Sequence, residues 1–306
     1  MPIGNRLILK AILFCCLFLA PHVGLSQDFL QRFPFQKQTT YFDFRYERDS
    51  PQIPTIARFA DGFIDLVNRD FFDFHFDYPI RVLVLEDRAQ FKEFLVQQLH
   101  TADPPNFGIY VPPFKLFATY EDSGIGTFTH EILHPLIKSN LTDRPLWAEE
   151  GIPTFFEKFY GYWKNDRLVV FWGYQNPWRI AQLGPNLTHI DLSEIISDRA
   201  DLRAVEHNES ALRMVSVFLW QQGCFRRFLK LIASHDKAPY PTYFEAVLQM
   251  PMDRILPLWH QYLDDVAEKR AEILRLPVST ICPDETNFQQ FIKTNDISLE
   301  QSTQRN

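Results

Sequence analysis

Residues 129–134 read Thr129-His130-Glu131-Ile132-Leu133-His134, and this run decides how the chain around it is read. An α-helix turns once in about 3.6 residues, so side chains four apart share a face. His130 and His134 then direct two imidazoles at one metal ion. Glu131 leaves the helix at a neighbouring angle, within reach of a water activated there, and is the candidate general base. Zinc suits such nitrogen and oxygen donors, keeps an open coordination position and brings the pKa of a bound water toward about 7. One zinc per chain is expected, and its geometry asks for a third ligand. Asp122 and Ser123 precede the helix as candidate caps, and Gly124 and Gly126 permit a tight passage into it. Pro135 directly follows His134 and removes a helix hydrogen bond just beyond a ligand.

Working outward, Tyr41 to Tyr46 reads as a strand, and Ile56, Phe59, Ala60, Phe63, Ile64 and Val67 repeat at helical spacing. Pro79 to Leu85 reads as a buried strand. Asp87 is placed to cap a helix whose Phe91, Phe94, Leu95 and Leu99 face inward. Ile109 to Tyr120 is interrupted by Pro112 and Pro113, which cannot donate to a ladder, so it reads as a hairpin or edge strand. From Leu192 onward the pattern is helical. Leu212, Val215 and Leu219 share one face before a stop at Gly223, and Ile255, Trp259, Tyr262, Leu263 and Val266 define another helix. The expected architecture is α+β: a mixed α/β lobe over residues 27–191, a helical lobe over 192–283, and a loose polar tail over 284–306.

Downstream of the histidine pair stands Pro145-Leu146-Trp147-Ala148-Glu149-Glu150-Gly151-Ile152-Pro153-Thr154-Phe155-Phe156-Glu157. Together the two runs resemble the gluzincin metallopeptidases, the thermolysin and zinc-aminopeptidase group. The second motif there runs Trp, two residues, Glu, Gly, and ends in Glu. The likeness is tight over about thirty residues and is closest to the compact secreted, peptidase-MA-like members. It implies a zincin-like fold, Glu150 as the third zinc ligand, and no metal role for Glu149. It also implies a substrate-cradling edge strand before the zinc helix, a place held here by Phe114 to Tyr120; an ordinary sheet edge is the other reading of that strand. Where relatives carry an oxyanion-stabilising Tyr at the opening of a helix, this chain has His207 in His207-Asn208-Glu209-Ser210-Ala211, and Tyr240 and Tyr243 are the fallback donors. Pro153, at a place usually held by Ala, is a second departure beside Pro135.

Composition narrows the function classes. With 306 residues, 46% of them hydrophobic, and a net charge of −7, the chain has ordinary globular composition. It carries no basic run that would follow a phosphate backbone, so no nucleic-acid partner is expected. Residues 1–26 read as a secretory signal: Arg6 and Lys10 are the positive region, Ala11 to Ala20 is an apolar run too short to span a bilayer, and Gly24-Leu25-Ser26 offers a cleavage site before Gln27. A secreted or periplasmic protein without a transmembrane segment after cleavage is expected. In that compartment Cys224 and Cys282 either pair or remain as two buried thiols. The function expected is a zinc-dependent peptidase acting on a peptide or protein substrate. The alternative is a binding or assembly module that keeps the fold with weak or no catalysis.

Overall fold

The computed structural model describes residues 31–73, 79–102, 104–141, 146–197, 208–234 and 238–299. The signal reading, His207 and the last residues of the tail lie outside them.

Strands β1 (Phe35–Gln38), β2 (Phe42–Tyr46), β3 (Ile80–Leu85), β4 (Gly108–Val111) and β5 (Leu116–Tyr120) form one sheet in the order β1-β2-β3-β5-β4. The inner three run parallel, with Phe44 beside Val82 and Val82 beside Phe117. Parallel neighbours need a crossover, and helices α1 (Gln52–Asp70) and α2 (Arg88–Leu99) supply the two. Side chains alternate across a strand, so each strand feeds two cores. Phe42, Phe44, Val82, Val84 and Phe117 enter the main core together with Phe59, Phe63 and Val67 of α1. Leu83, Leu85, Leu116 and Ala118 face the other way, onto Phe91, Phe94 and Leu95 of α2. Asp87 caps α2 by accepting from the Gln90 N–H at 2.9 Å, as its position in the sequence predicts.

The expectation of an edge strand at Phe114 to Tyr120 needs correction. β5 pairs with β3 on one side and β4 on the other, and all five of its residues are buried; the sheet edge is β4. Pro112 and Pro113 sit in a 3₁₀ turn between the two strands, which Lys115 closes at φ 50°, so their missing donors cost the ladder nothing.

After β5 come α3 (Ile125–Asn140), carrying the histidines and running on through Pro135, and α4 (Leu146–Phe155), carrying Glu150. The expected caps of α3 do not form. Gly124 holds the N-cap position at φ +90°, and Ser123 Oγ bonds to Thr119 Oγ1 at 2.7 Å instead. Gly126 serves close approach, since a Cβ there would lie 2.5 Å from the Glu157 carbonyl oxygen.

A hairpin of β6 (Tyr160–Lys164) and β7 (Arg167–Phe171) follows, then α5 (Pro177–Leu183), α6 (Leu192–Ile195), α7 (Asn208–Gln221), α8 (Phe225–Ala233), α9 (Tyr240–Leu248), α10 (Met252–Glu268) and α11 (Arg270–Ile273). The main core continues from α1 and α3 into α7 and α10, so the residues before and after 191 share one apolar interior. At Gly151 a Cβ would meet Leu212 Cβ at 3.1 Å, and this glycine lets α4 lie against α7.

The loose tail is also corrected. β8 (Thr280–Cys282) adds parallel to β6, and α12 (Glu285–Thr294), capped by Asp284, buries Phe288 against Tyr160, Tyr162 and Tyr174. Cys224 and Cys282 are both buried and unpaired. Among the described residues no helix is long and apolar enough to cross a membrane.

Candidate metal centre

On α3, His130 and His134 stand one turn apart with ring centroids separated by 4.9 Å. α4 packs beside them and brings Glu150 Oε2 to 3.4 Å from His130 Nε2 and 3.7 Å from His134 Nε2. One donor atom from each of the three lies within 4.8 Å of the others. The neighbouring acid, Glu149, turns outward to Lys138 at 2.8 Å, so of the adjacent glutamates it is Glu150 that meets the histidines. Both histidines are 7% exposed and Glu131 is 9% exposed, so the cluster is open to solvent on one side only.

The side chain that fixes His130 is Glu157, to which the sequence alone assigns no role. Glu157 Oε1 lies 3.0 Å from His130 Nδ1, which leaves Nε2 to face Glu150. Glu157 is in turn gripped by Arg179 of α5 through two bonds, Nε to Oε2 at 3.0 Å and Nη2 to Oε1 at 2.5 Å, and by Asn176 Nδ2 at 3.0 Å. Arg179 reaches onward to Glu209 at the start of α7 at 2.6 Å. Glu157 stands in the turn just past the end of α4, closing the same run of sequence that carries Glu150, and that nearness is its signal in the sequence. Arg179 has no local signal; it reaches Glu157 only through the fold.

Burial is the largest influence on each ionisable group here, and the charges decide the outcome. Burial raises the Glu131 pKa to about 7, with the charge of Glu150 adding to it and His130 and the Tyr110 backbone N–H opposing. Burial lowers His134 to about 3, so its imidazole is neutral and free to act as a ligand. Burial opposes the charge of His130, but bonds to Glu150 and Glu157 outweigh it and hold the pKa well above the ordinary imidazole value. Burial likewise opposes ionisation of Glu150, yet the His130 bond and the positive charges nearby bring it to about 2. Glu157 is held far below the carboxylate range by Arg179 and His130 against its burial.

Two carboxylates thus hold a proton on His130 in the metal-free protein. A divalent cation satisfies the same two acids, so the donor set fits zinc: two imidazoles, one carboxylate, and a buried carboxylate orienting an imidazole from behind. His134 lacks such support, because its Nδ1 is buried without a hydrogen-bond partner among the described residues.

The cluster opens into a cleft of about 850 Å³ that Glu131, Lys138, Trp178 and the edge strand β4 border. β4 sits tightly against the helix. At Gly108 a Cβ would lie 3.0 Å from Glu131 Cγ and 3.1 Å from Thr127 Cγ2, so a side chain there would displace the candidate base. Of the expected oxyanion donors, His207 lies outside the described residues. Tyr240 and Tyr243 do not line the cleft: Tyr240 packs on Trp147 at 5.1 Å, and the Tyr243 hydroxyl accepts from the Ala238 N–H at 3.0 Å. No protein-family model and no curated protein matches the chain.

Proposed function

We propose that the protein is an extracytoplasmic zinc-dependent peptidase of gluzincin type, with a zincin-like fold. The convergence of His130, His134 and Glu150 beside a buried Glu131, on the floor of a cleft bordered by the edge strand β4, carries this reading. Zinc held by those three side chains supplies a Lewis acid for the scissile carbonyl and lowers the pKa of the attacking water. Glu131, buried beside the three ligands, would take a proton from the attacking water and pass it to the leaving amine. Glu157 holds the His130 ring in one tautomer, and Arg179 holds Glu157. The outer side of β4, where the Tyr110 N–H already bonds Glu131, is the strand edge along which an extended peptide would lie. The signal-like residues 1–26 support export.

The test uses purified mature protein, unfolded casein as an unselective substrate, and the Glu131→Gln variant, which keeps the shape of the base without its proton affinity. The variant is expected to retain zinc while hydrolysis falls by roughly 10² to 10⁴-fold. Equal hydrolysis by both proteins would place the chemistry elsewhere. Zinc without hydrolysis in either would favour a binding module.

A further inference from the structure

Among the described residues six large apolar side chains stand exposed: Phe35, Val96, Phe107, Trp178, Leu274 and Val278. Three of them, Phe107, Trp178 and Val278, line the cleft that holds the metal cluster. They come from three separate segments: the residue before β4, the first turn of α5, and the stretch leading into β8. Their exposures are 37%, 46% and 82%, in a protein whose other aromatic rings are largely buried. Scattered single apolar residues are ordinary on a surface, whereas convergence of several at the mouth of a concave site marks a place that binds apolar groups.

The two rings are held in place. Phe107 and Trp178 meet edge to face, with centroids 5.8 Å apart. The Arg179 guanidinium lies 4.6 Å over the Trp178 ring and that of Arg88 lies 6.0 Å from the Phe107 ring, so each aromatic has a cation at one face. The Trp178 main-chain N–H donates to Asn176 Oδ1 at 3.1 Å, which fixes the backbone that carries the ring, and Asn176 Nδ2 also bonds Glu157, which orients His130. The aromatic rim is therefore set by the same residues that set the metal ligands, and Phe107 passes directly into the strand that lies against Glu131.

We infer that Phe107 and Trp178 are specificity-determining residues that select polypeptide segments carrying a large apolar side chain close to the bond that is cut. This rests on the reading of the cleft as a peptide site. A segment extended along β4 passes from Glu131 to Phe107 within three residues of the strand's start, which places one of its side chains at the rim. Rigid aromatic anchors give up little entropy on binding, so the contribution of the pair appears as discrimination between side chains. A Phe or Leu side chain covers these rings; Gly offers nothing to cover them, and an Asp side chain has too little apolar surface to cover them and would have to shed the hydration of its carboxylate.

The experiment uses dye-labelled Gly/Ser decapeptides with one central Phe, Leu, Gly or Asp, titrated against zinc-loaded Glu131→Gln protein by fluorescence anisotropy, so that binding is read apart from hydrolysis. The Phe and Leu peptides are expected to bind roughly 10- to 100-fold more tightly than the Gly and Asp peptides. In the Phe107→Ala/Trp178→Ala double variant that ratio is expected to fall below about threefold. Both side chains are exposed, and circular dichroism with thermal melting checks that the variant folds; Trp178→Lys serves as a second variant. No preference in the parent, no binding of any peptide, or a preference that survives in the folded double variant overturns the inference. Cleavage sites mapped on casein by mass spectrometry separate the two claims. Hydrolysis without apolar preference sinks the inference alone, while apolar binding without hydrolysis in the wild type sinks the peptidase reading alone.

Discussion

His130 and His134 sit one turn apart on the same helix, yet their surroundings differ. Behind His130 stands a chain of charged partners, from the buried Glu157 and Arg179 out to the partly exposed Glu209, with each link at hydrogen-bond distance. Behind His134 stands no partner for Nδ1 among the described residues, and the next residue is Pro135, which cannot donate to the carbonyl of Glu131. One ligand is held by a network spanning three elements, the other by its own helix and by core packing. Orientation of a ligand from behind governs metal affinity nearly as much as the ligand itself. The difference therefore locates the rigidity of the site on the α5 side, where the aromatic rim also originates.

Removing the grip on Glu157 has the largest expected effect on this asymmetry. Arg179→Met leaves a buried carboxylate with its main counter-charge gone, and should lower stability by about 3–5 kcal/mol in thermal or urea unfolding. Zinc affinity, read by competition with a chromogenic chelator, should weaken as well. Glu157→Gln, which keeps the shape but not the charge, should weaken zinc binding by roughly 10- to 100-fold. Wild-type affinity in both variants would show that the network does not hold the ligand. The smallest effect is expected on the other side. Pro135→Ala restores a donor for the Glu131 carbonyl, and should raise Tm by a few degrees while changing zinc affinity by less than about threefold. A large loss of zinc in that variant would mean that the proline, and not the helix, positions His134.

What the sequence made legible follows the range of each interaction. The spacing of His130, Glu131 and His134 is a property of one helix, and the amphipathic repeats of α1 and α10 and the Asp87 cap are local as well. Glu157 closes the run that carries Glu150, but its partners Asn176 and Arg179 lie 19 and 22 residues away and meet it only after the β6–β7 hairpin folds back. Of the two readings of Ile109 to Tyr120 the structure shows the hairpin, with the proline pair as its turn; the edge falls on β4 and not on Phe114 to Tyr120 because nothing local tells which of the two strands pairs with β3. The polar composition averaged over 284–306 points to a loose tail and hides Phe288, Phe291 and Ile292, which share one helix face and close over Tyr160. Gly124 replaced the expected caps because the entry into α3 needs a positive φ that Asp122 or Ser123 would adopt only with strain.

The central claim is that His130, His134 and Glu150 together hold one zinc ion, and zinc content after exhaustive dialysis tests it most directly. Elemental analysis should find about one zinc per chain in the wild type and in Glu131→Gln, and close to none in His130→Ala, where two remaining donors bind weakly. Equal zinc in the wild type and His130→Ala, or none in a correctly folded wild type resupplied with zinc, would contradict it.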